Sequence, residues 1–359
     1  MEIERKVKEN EKLGGVSTHP HPRDISGCIS RDSGRIEFVD TAKGVCILLV
    51  VLFHCGIISE SIPLLGMLRM PFYFTLSGMF FKDYGGFFKT LLKKINKLFI
   101  PFLFFFTMSY VIFVVIKLVI GGEIDIPYHC FVTSKTMINI ALWFLLALFS
   151  ANILFYAILK ICRNIYIVGI ACIATAIIAL NIFSKDFFLP MYVDSAMVAL
   201  PFLYFGYCLR KSKLLERKRD NKKENLSILI LVIVAFLAYT IGGKPYIGIG
   251  TLFTTGSKFC FYIVAFGIVL AMLLICKIIG SIPGIKYIGR YSIIILGMHI
   301  TIHSLSIYAN DYLGILPEGA LLDVILFMVT LAGSILCIPL LRKYAPKLTA
   351  QEDLIPNFR

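Results

Sequence analysis

Long apolar runs separated by short polar stretches make up most of the chain. The runs are continuous rather than alternating, and each is close to the about 20 helical residues that cross a hydrocarbon core. Because lipid cannot satisfy exposed backbone groups, only helices and closed barrels span membranes, and continuous runs favour helices. We predict ten spans, at about 43–59, 62–81, 97–120, 137–159, 164–183, 192–209, 226–241, 258–279, 288–308 and 319–341.

The composition agrees with this pattern. The chain is 58% hydrophobic and 16% charged, and its mean hydropathy is +0.83. We therefore predict an all-α, polytopic transmembrane helical bundle of about ten spans in contact with the lipid bilayer. Residues 35–345 form its single membrane domain, 1–34 a flexible cytoplasmic tail and 346–359 a second, short cytoplasmic tail.

The basic residues are concentrated in alternate loops. One loop holds Lys82 to Lys97, the next holds Lys160 and Arg163, and a third is the run 210–223. Basic loops stay on the cytoplasmic side, so these three are predicted to be cytoplasmic, and an even number of spans then places both termini inside. The net charge of +14 indicates orientation in an inner (plasma) membrane and contact with anionic lipid, rather than a nucleic-acid partner.

Metal and disulfide chemistry find little support. The ten cysteines lie mostly in or beside the spans and form no zinc spacing, which is typical of apolar filling. His299 and His303 are one helical turn apart, a spacing compatible with a metal, but no further ligand completes a site. We predict no metal, and the sequence indicates no oligomeric state.

Ionisable residues inside the spans are the main functional signal, since such groups are costly in hydrocarbon unless they find partners. His54 follows Lys43 by eleven residues, roughly 16 Å along a helix, which places it near the middle of the membrane. Arg69 and His299 reach a similar depth when counted from the inner ends of their own spans. The three predict a hydrated pocket, with Asp40 and Lys43 nearer its cytoplasmic mouth.

Each candidate also has a plainer interpretation. A single buried histidine is usually a hydrogen-bonded packing residue, although three polar groups at one depth weaken that interpretation. Trp143, the only tryptophan, begins the fourth span and is either an interfacial anchor or a platform for a sugar ring. Asp194, near the outer end of its span, could accept hydrogen bonds from substrate hydroxyls.

Several segments resemble the membrane-bound acyltransferase 3 family. Asp40-x-x-Lys43-Gly44, followed by His54 after ten intervening residues, looks like the family signature of the first span. Further segments resemble the family in the expected order: RMPFYFTLSGMFFK (69–82), KKINKLFIPF (93–102), ALWFLLALF (141–149), DSAMVALPFLYFGY (194–207) and GRYSIIILGMHI (289–300). The resemblance covers most of residues 35–341, and the AKG and RMP variants look most like the fucose O-acetylase-like branch.

The resemblance implies an O-acyltransferase that moves an acyl group, acetyl first, from cytoplasmic acyl-CoA to a hydroxyl of an extracytoplasmic or lipid-linked saccharide. Acetyl-CoA is then a co-substrate, and no cofactor is bound permanently. Catalytic roles fall to Asp40, His54, Arg69 and His299, with His54 as general base and Arg69 or His299 as oxyanion donor. Lys43, Lys94, Lys97 and Arg290 would bind the anionic donor, and Trp143 and Asp194 the acceptor.

This chain departs from the family pattern at two places. Lysines 94 and 97 replace the usual arginines, which keeps the charge but loses the bidentate fork for phosphate. Arg69 replaces a histidine, which argues against proton transfer at that position but keeps an anion- or carbonyl-binding role.

Two other functional classes stay open on the sequence. A transporter or flippase for a polar or lipid-linked glycan would also need a polar layer inside the membrane, although it more often shows paired halves with broken helices. A membrane scaffold or sensor would not need three such residues at one depth. Consumption of an acyl-CoA thioester distinguishes the enzyme from both.

Overall fold

Helices form nearly all the regular structure, as continuous apolar runs require in lipid. The computed structural model describes residues 37–57, 63–133, 136–184, 187–216, 220–314 and 319–356, and residues 36–359 form one compact unit. The predicted tail at 1–34 lies outside the described residues. The helices are α1 (Glu37–His54), α2 (Pro63–Met79), α3 (Phe87–Lys94), a π turn (Ile95–Phe99), α4 (Ile100–Ile120), α5 (Cys130–Thr133), α6 (Trp143–Ile161), α7 (Ile165–Ile182), α8 (Val193–Ser212), α9 (Asn221–Ile241), α10 (Lys258–Ile279), α11 (Pro283–Arg290), α12 (Ser292–Leu313) and α13 (Ala320–Tyr344).

Short elements complete the chain. Three 3₁₀ turns, Ile140–Leu142, Pro190–Tyr192 and Leu214–Glu216, lie beside the ends of long helices. Two strands, β1 (Tyr246–Ile247) and β2 (Thr254–Thr255), pair antiparallel between α9 and α10. No other strand is present in the described residues, and two strands of two residues each do not change the all-α class.

The predicted all-α polytopic bundle is confirmed. Among the described residues, eight helical segments are long and apolar enough to cross a membrane by length and composition. The first two predicted spans correspond to α1 and α2, which are not among these eight segments. The first has too many charged residues and the second is one residue too short. The α1 helix carries three charged residues, Glu37, Asp40 and Lys43, and α2 has 17 residues.

The bounds of the first span need correction. The predicted span was 43–59, whereas α1 begins at Glu37 and ends at His54. Gly56 stops the helix, because its φ of 79° lies in the left-handed region that glycine tolerates. His54 is therefore the last residue of its helix rather than a residue in the middle of it.

The first half of α1 crosses the short helix α11 with close backbone contacts. A Cβ on Gly289 would overlap the Asp40 carbonyl oxygen, and one on Gly44 would overlap the Ile285 carbonyl. Only glycine therefore allows the two helices to cross at this distance. The crossing fixes α11, and with it Arg290, beside Asp40.

The interior and the lipid-facing surface are both apolar but differ in burial. Phe102, Phe105 and Phe106 of α4 are almost completely buried in the core. The outward residues of α7, by contrast, are about half exposed, among them Ile170, Ile173 and Ile177. Exposed isoleucines in a continuous stripe fit a surface that contacts lipid chains.

The segment after α13, predicted as a short cytoplasmic tail, packs onto the π turn after α3. The buried side chain of Asn96 donates to the Ile355 carbonyl at 2.9 Å and accepts from the backbone N–H groups of Leu354 and Ile355 at 3.0 and 2.9 Å. These three bonds hold the segment 346–356 against the basic face of the bundle. We call it the C-terminal strap.

Candidate active site

The centre of the candidate site is a pair of histidines from two helices distant in sequence. The imidazole rings of His54 and His299 have centroids 5.2 Å apart and planes tilted by 49°. His54 comes from the end of α1, whereas His299 lies in the first half of α12 and is 0% exposed. The predicted proximity of these two side chains is thus present in the structure.

The hydrogen bonds of His299 fix which of its nitrogens carries the proton in the neutral ring. Nδ1 lies 2.9 Å from the Ile295 carbonyl oxygen and 3.0 Å from that of Leu296. Carbonyl oxygens only accept, so Nδ1 carries the hydrogen and Nε2 carries the lone pair. Nε2 is buried and has no hydrogen-bond partner among the described residues. His299 therefore offers an acceptor, rather than a donor, to the site.

Arg69 reaches the same region from α2. Its guanidinium carbon lies 3.7 Å from the centroid of the Phe53 ring, the residue before His54. Stacking of this kind restricts the orientation of the planar guanidinium. The Phe53 ring in turn lies 5.3 Å from the His54 ring, centroid to centroid, so the guanidinium and the imidazole pack against the same phenylalanine. The third predicted member of the polar layer thus joins the two histidines.

A second histidine, His303, lies one turn further along α12. Its spacing from His299 is compatible with a metal, but the sequence predicted no metal site there. His303 Nδ1 is 3.7 Å from the Cys55 sulfur. In the described residues, no group of three or more metal-ligating side chains is present. We assign no metal to the site.

Asp40 and Lys43 lie about three to four helical turns before His54, near the start of α1. Their side chains form an ion pair of 3.6 Å, and the Tyr73 hydroxyl donates to the Lys43 carbonyl at 3.1 Å. Arg290, at the end of α11, is exposed next to this pair through the Gly289 crossing. We group the Asp40–Lys43 ion pair with Arg290, whose neighbour Gly289 meets the Asp40 backbone, and call these residues the Lys43 cluster.

The two lysines of the predicted donor site have different surroundings. Lys94 Nζ lies 5.4 Å from the Phe81 ring, next to Phe80, whose ring lies 5.6 Å from Lys43 Nζ. Lys97 is instead tied to the C-terminal strap, through Asp353 at 3.1 Å and the Ala350 carbonyl at 2.8 Å. Lys94 and Lys43 thus lie against adjacent phenylalanines just after α2, whereas Lys97 is paired within the chain.

The C-terminal strap places one carboxylate between two lysines. Asp353 accepts from Lys93 at 2.6 Å and pairs with Lys97 at 3.1 Å. Partial burial acts to raise the pKa of Asp353, but the two lysines outweigh it, and the pKa is lowered overall. The carboxylate therefore stays ionised at neutral pH and neutralises part of the predicted donor-binding charge.

The two predicted acceptor-binding residues are both packed into the protein. The indole of Trp143 lies over the backbone at Gly250 and 5.8 Å from the Tyr192 ring. Asp194 is 0% exposed at the start of α8, where Oδ1 accepts from the Ser195 N–H at 2.7 Å, as suits an acidic residue at a helix N-terminus. A role of either side chain in acceptor binding stays a prediction.

A polar cluster beside His299 was not predicted from the sequence. The buried Asn139 amide donates to the Gly297 carbonyl at 2.9 Å and to the Ser109 hydroxyl at 3.1 Å, and Ser109 lies 2.8 Å from the Thr301 hydroxyl. These residues fasten α4 and the start of the fourth span to α12 on both sides of His299. Asn139 stands among apolar residues in the sequence, and such a polar residue inside a span could have indicated a buried hydrogen-bond cluster.

Comparison with protein families assigns the chain to a family of acyltransferases. The model of the acyltransferase domain of family 3 matches residues 36–339, which is most of the chain and includes every residue of the histidine centre. The chain belongs to the membrane-bound acyltransferase 3 family. No curated protein and no solved structure matches it.

Membership of the acyltransferase 3 family defines the reaction class. The protein is a multi-pass membrane O-acyltransferase, and the acyl groups it transfers are not aminoacyl groups. The fucose O-acetylase-like branch stays a prediction. His54, Arg69 and His299 all lie within the matched region.

Proposed function

We propose that this acyltransferase transfers an acyl group, acetyl first, from cytoplasmic acyl-CoA to a hydroxyl of an extracytoplasmic or lipid-linked saccharide, in the inner membrane. The single observation that carries the proposal is the convergence of His54, His299 and Arg69 from three helices. A proton acceptor, a second acceptor and a cationic donor meet there, which is the set that acyl transfer to a hydroxyl requires.

The donor enters from the basic face in this proposal. Acyl-CoA carries several phosphate charges, and Lys43, Lys94 and Arg290 offer cations at that end of the bundle. His54 lies eleven residues beyond Lys43, roughly 16 Å further along α1. The extended acyl arm therefore runs along α1 from the charged cluster towards the histidine centre.

The transfer step places the base and the oxyanion donor on separate residues. His54 takes the proton of the acceptor hydroxyl as its oxygen attacks the thioester carbonyl. The Arg69 guanidinium donates to the oxyanion of the tetrahedral intermediate, a contribution worth ~3 kcal/mol at comparable sites. When the intermediate collapses, the C–S bond breaks, and the His54 imidazolium returns its proton to the departing thiolate.

His299 has a positioning role in this scheme. Its Nδ1 hydrogen is committed to the Ile295 and Leu296 carbonyls, so it cannot donate to the oxyanion while neutral. Its buried Nε2 is placed to accept a hydrogen bond from the reacting hydroxyl or from the His54 ring. Acceptance from His54 would leave the other His54 nitrogen unprotonated and ready to act as base.

The test combines a purified enzyme with a glycan readout. Wild-type protein should hydrolyse or transfer from acetyl-CoA, and His54→Ala should lower the rate by about 10²–10⁴-fold. Cells with wild-type protein should carry a base-labile acyl mass on surface polysaccharide, which both the deletion and His54→Ala should lack. His303→Asn, at the neighbouring histidine of α12, serves as the matched control.

The transporter or flippase is the alternative outcome. If the purified protein consumes no acyl-CoA and glycan acylation is unchanged in both mutants, the reaction proposed here is wrong in its donor or acceptor. A His54→Ala protein that is lost from the membrane would instead show that the histidine is a packing residue.

A further inference from the structure

A second cationic site lies on the basic face, away from the residues of the proposed reaction. An open cavity of about 290 Å³ lies where α6, α7 and α8 meet the loop that follows α2. Three cations line it, together with one carboxylate and two tyrosine rings: Lys160, Arg163, Lys211, Asp83, Tyr156 and Tyr207. None of these residues belongs to the histidine centre or to the Lys43 cluster.

The charges of this cavity do not cancel. Asp83 accepts from Lys160 at 2.7 Å through Oδ2 and from the N–H groups of Gly85 and Gly86, each at 3.0 Å, through Oδ1. Those contacts lower the pKa of the Asp83 carboxyl to about 2, so the carboxylate is ionised at neutral pH and offsets the charge of Lys160. Within the described ranges, neither Arg163 nor Lys211 has an acidic partner, and the cavity therefore keeps an excess of positive charge.

The cavity walls are arranged for an anionic headgroup. The N-terminus of α7 begins at Ile165 in the lining, and the positive end of an 18-residue helix favours an anion there. Lys211 Nζ lies 4.6 Å from the Tyr207 ring, which limits where its charge can go. Two cations and a helix N-terminus thus converge on one polar volume.

The surroundings of the cavity favour a lipid over a free phosphate. Ile161 and Tyr166, on either side of the lining residues in the sequence, are 79% and 76% exposed. The outward stripe of α7 continues from them with exposed isoleucines at 170, 173 and 177. A ligand whose phosphate enters the cavity would find apolar surface for acyl chains immediately beside it.

We propose that the cavity between α6, α7 and α8 binds the phosphate headgroup of an anionic diacyl phospholipid of the cytoplasmic leaflet. Arg163 and Lys211 contact the phosphate, and the acyl chains lie along the exposed face of α7. Basic pockets between transmembrane helices on the cytoplasmic side bind acidic lipid headgroups in this way. The proposal does not depend on the donor or acceptor of the acyl transfer.

Native mass spectrometry of the full-length protein in detergent tests the proposal, with phosphatidylglycerol as the probe. Wild-type protein should bind it in preference to phosphatidylcholine, which has the same phosphate but no net charge. Arg163→Ala/Lys211→Ala should weaken phosphatidylglycerol binding by about tenfold or more. The control Lys222→Ala/Lys223→Ala removes two exposed charges from the start of α9 and should leave binding unchanged.

Three results would overturn the proposal. The first is wild-type binding by Arg163→Ala/Lys211→Ala, once its thermal stability in phosphatidylcholine matches that of the wild type, since the cavity is then not the site. The second is competition by glycerol 3-phosphate or inorganic phosphate at the same concentration as the diacyl lipid, since the acyl chains then contribute nothing. Displacement of the lipid by equimolar acyl-CoA would instead assign the cavity to the donor.

Discussion

His54 and His299 stand with ring centroids 5.2 Å apart, although 244 positions separate them in the chain. The relationship depends on two features of His299, which is fully buried and which binds two carbonyls of its own helix through Nδ1. The helix thus fixes the ring, and its second nitrogen, Nε2, is buried without a hydrogen-bond partner in the described residues. A fixed acceptor beside a proposed base makes a positioning role testable.

His299→Asn should lower kcat by about 10²-fold while KM for acyl-CoA stays within about threefold. The asparagine amide can still donate to the Ile295 carbonyl, so the local helix contact survives, but nothing replaces Nε2. Steady-state kinetics of the purified variant measure the split between kcat and KM. His303→Asn makes the same change one turn along α12 and should stay within about threefold of wild type. Equal losses in both variants would mean that the effect is general damage to α12.

The three residues of the histidine centre were predictable because depth can be counted along helices. His54, Arg69 and His299 lie at comparable counts from the basic ends of their helices, and the structure brings them together. The end of α1 was not predictable from the apolar run, which continues past His54 through Ile57 and Ile58. Gly56 ends the helix through its backbone conformation, and hydropathy does not report that.

Contacts between distant segments were the part that hydropathy could not supply. The C-terminal strap is held by the Asn96 side chain and by the pairing of Asp353 with Lys93. Nothing in the polar sequence around Asp353 distinguishes it from an unpaired residue near a terminus. The cavity at Arg163 likewise brings together residues of three basic loops, which in the sequence predicted only the orientation of the chain in the membrane. Charge patterns predicted the side of the membrane, but not which charges are already paired.

Lys94 and Lys97 should contribute unequally to acyl-CoA binding. Lys97 is already paired with Asp353, whereas no carboxylate of the described residues pairs with Lys94. We expect Lys94→Ala to raise the Kd for acyl-CoA about tenfold and Lys97→Ala to raise it no more than about threefold, with a shallower salt dependence for Lys94→Ala. Isothermal titration calorimetry at two salt concentrations measures both quantities. A larger loss in Lys97→Ala would place the donor at the C-terminal strap instead.

Asp353→Asn should loosen the C-terminal strap. The lowered pKa of Asp353 means that its pairing stabilises the fold above the unfolded pKa near 3.9, and this stabilisation is lost as the pH falls through the lower folded value. At pH 7 the carboxylate is therefore fully effective, and its loss should cost about 1 kcal/mol, since the pair is partly exposed.

Limited trypsin digestion at Lys347 measures this release. Cleavage in Asp353→Asn should be about fivefold faster than in wild type at pH 7, which corresponds to about 1 kcal/mol. Asp220→Asn, which removes an exposed carboxylate elsewhere on the basic face, is the matched control. An unchanged rate would show that the three Asn96 bonds hold the strap without Asp353.

The ion pair between Glu224 and Lys277 should be the most sensitive contact between α9 and α10. The two charged atoms are 2.6 Å apart, and both side chains are 10% exposed. Lys277→Met removes one partner and leaves the Glu224 charge enclosed, and its Oε2 already has no hydrogen-bond partner in the described structure. Breaking a buried pair in this way costs about 3 kcal/mol.

Thermal unfolding of the detergent-solubilised protein, followed by intrinsic fluorescence, tests this prediction. Lys277→Met should lower the Tm by several degrees, while the double variant Glu224→Leu/Lys277→Met should recover at least half of the loss, because the isolated charge is gone. Acyl transfer per folded molecule should be unchanged in both, since the pair lies outside the histidine centre. If the double variant is as unstable as the single one, the pair stabilises α9 and α10 by its own attraction, and the cost does not come from an enclosed charge.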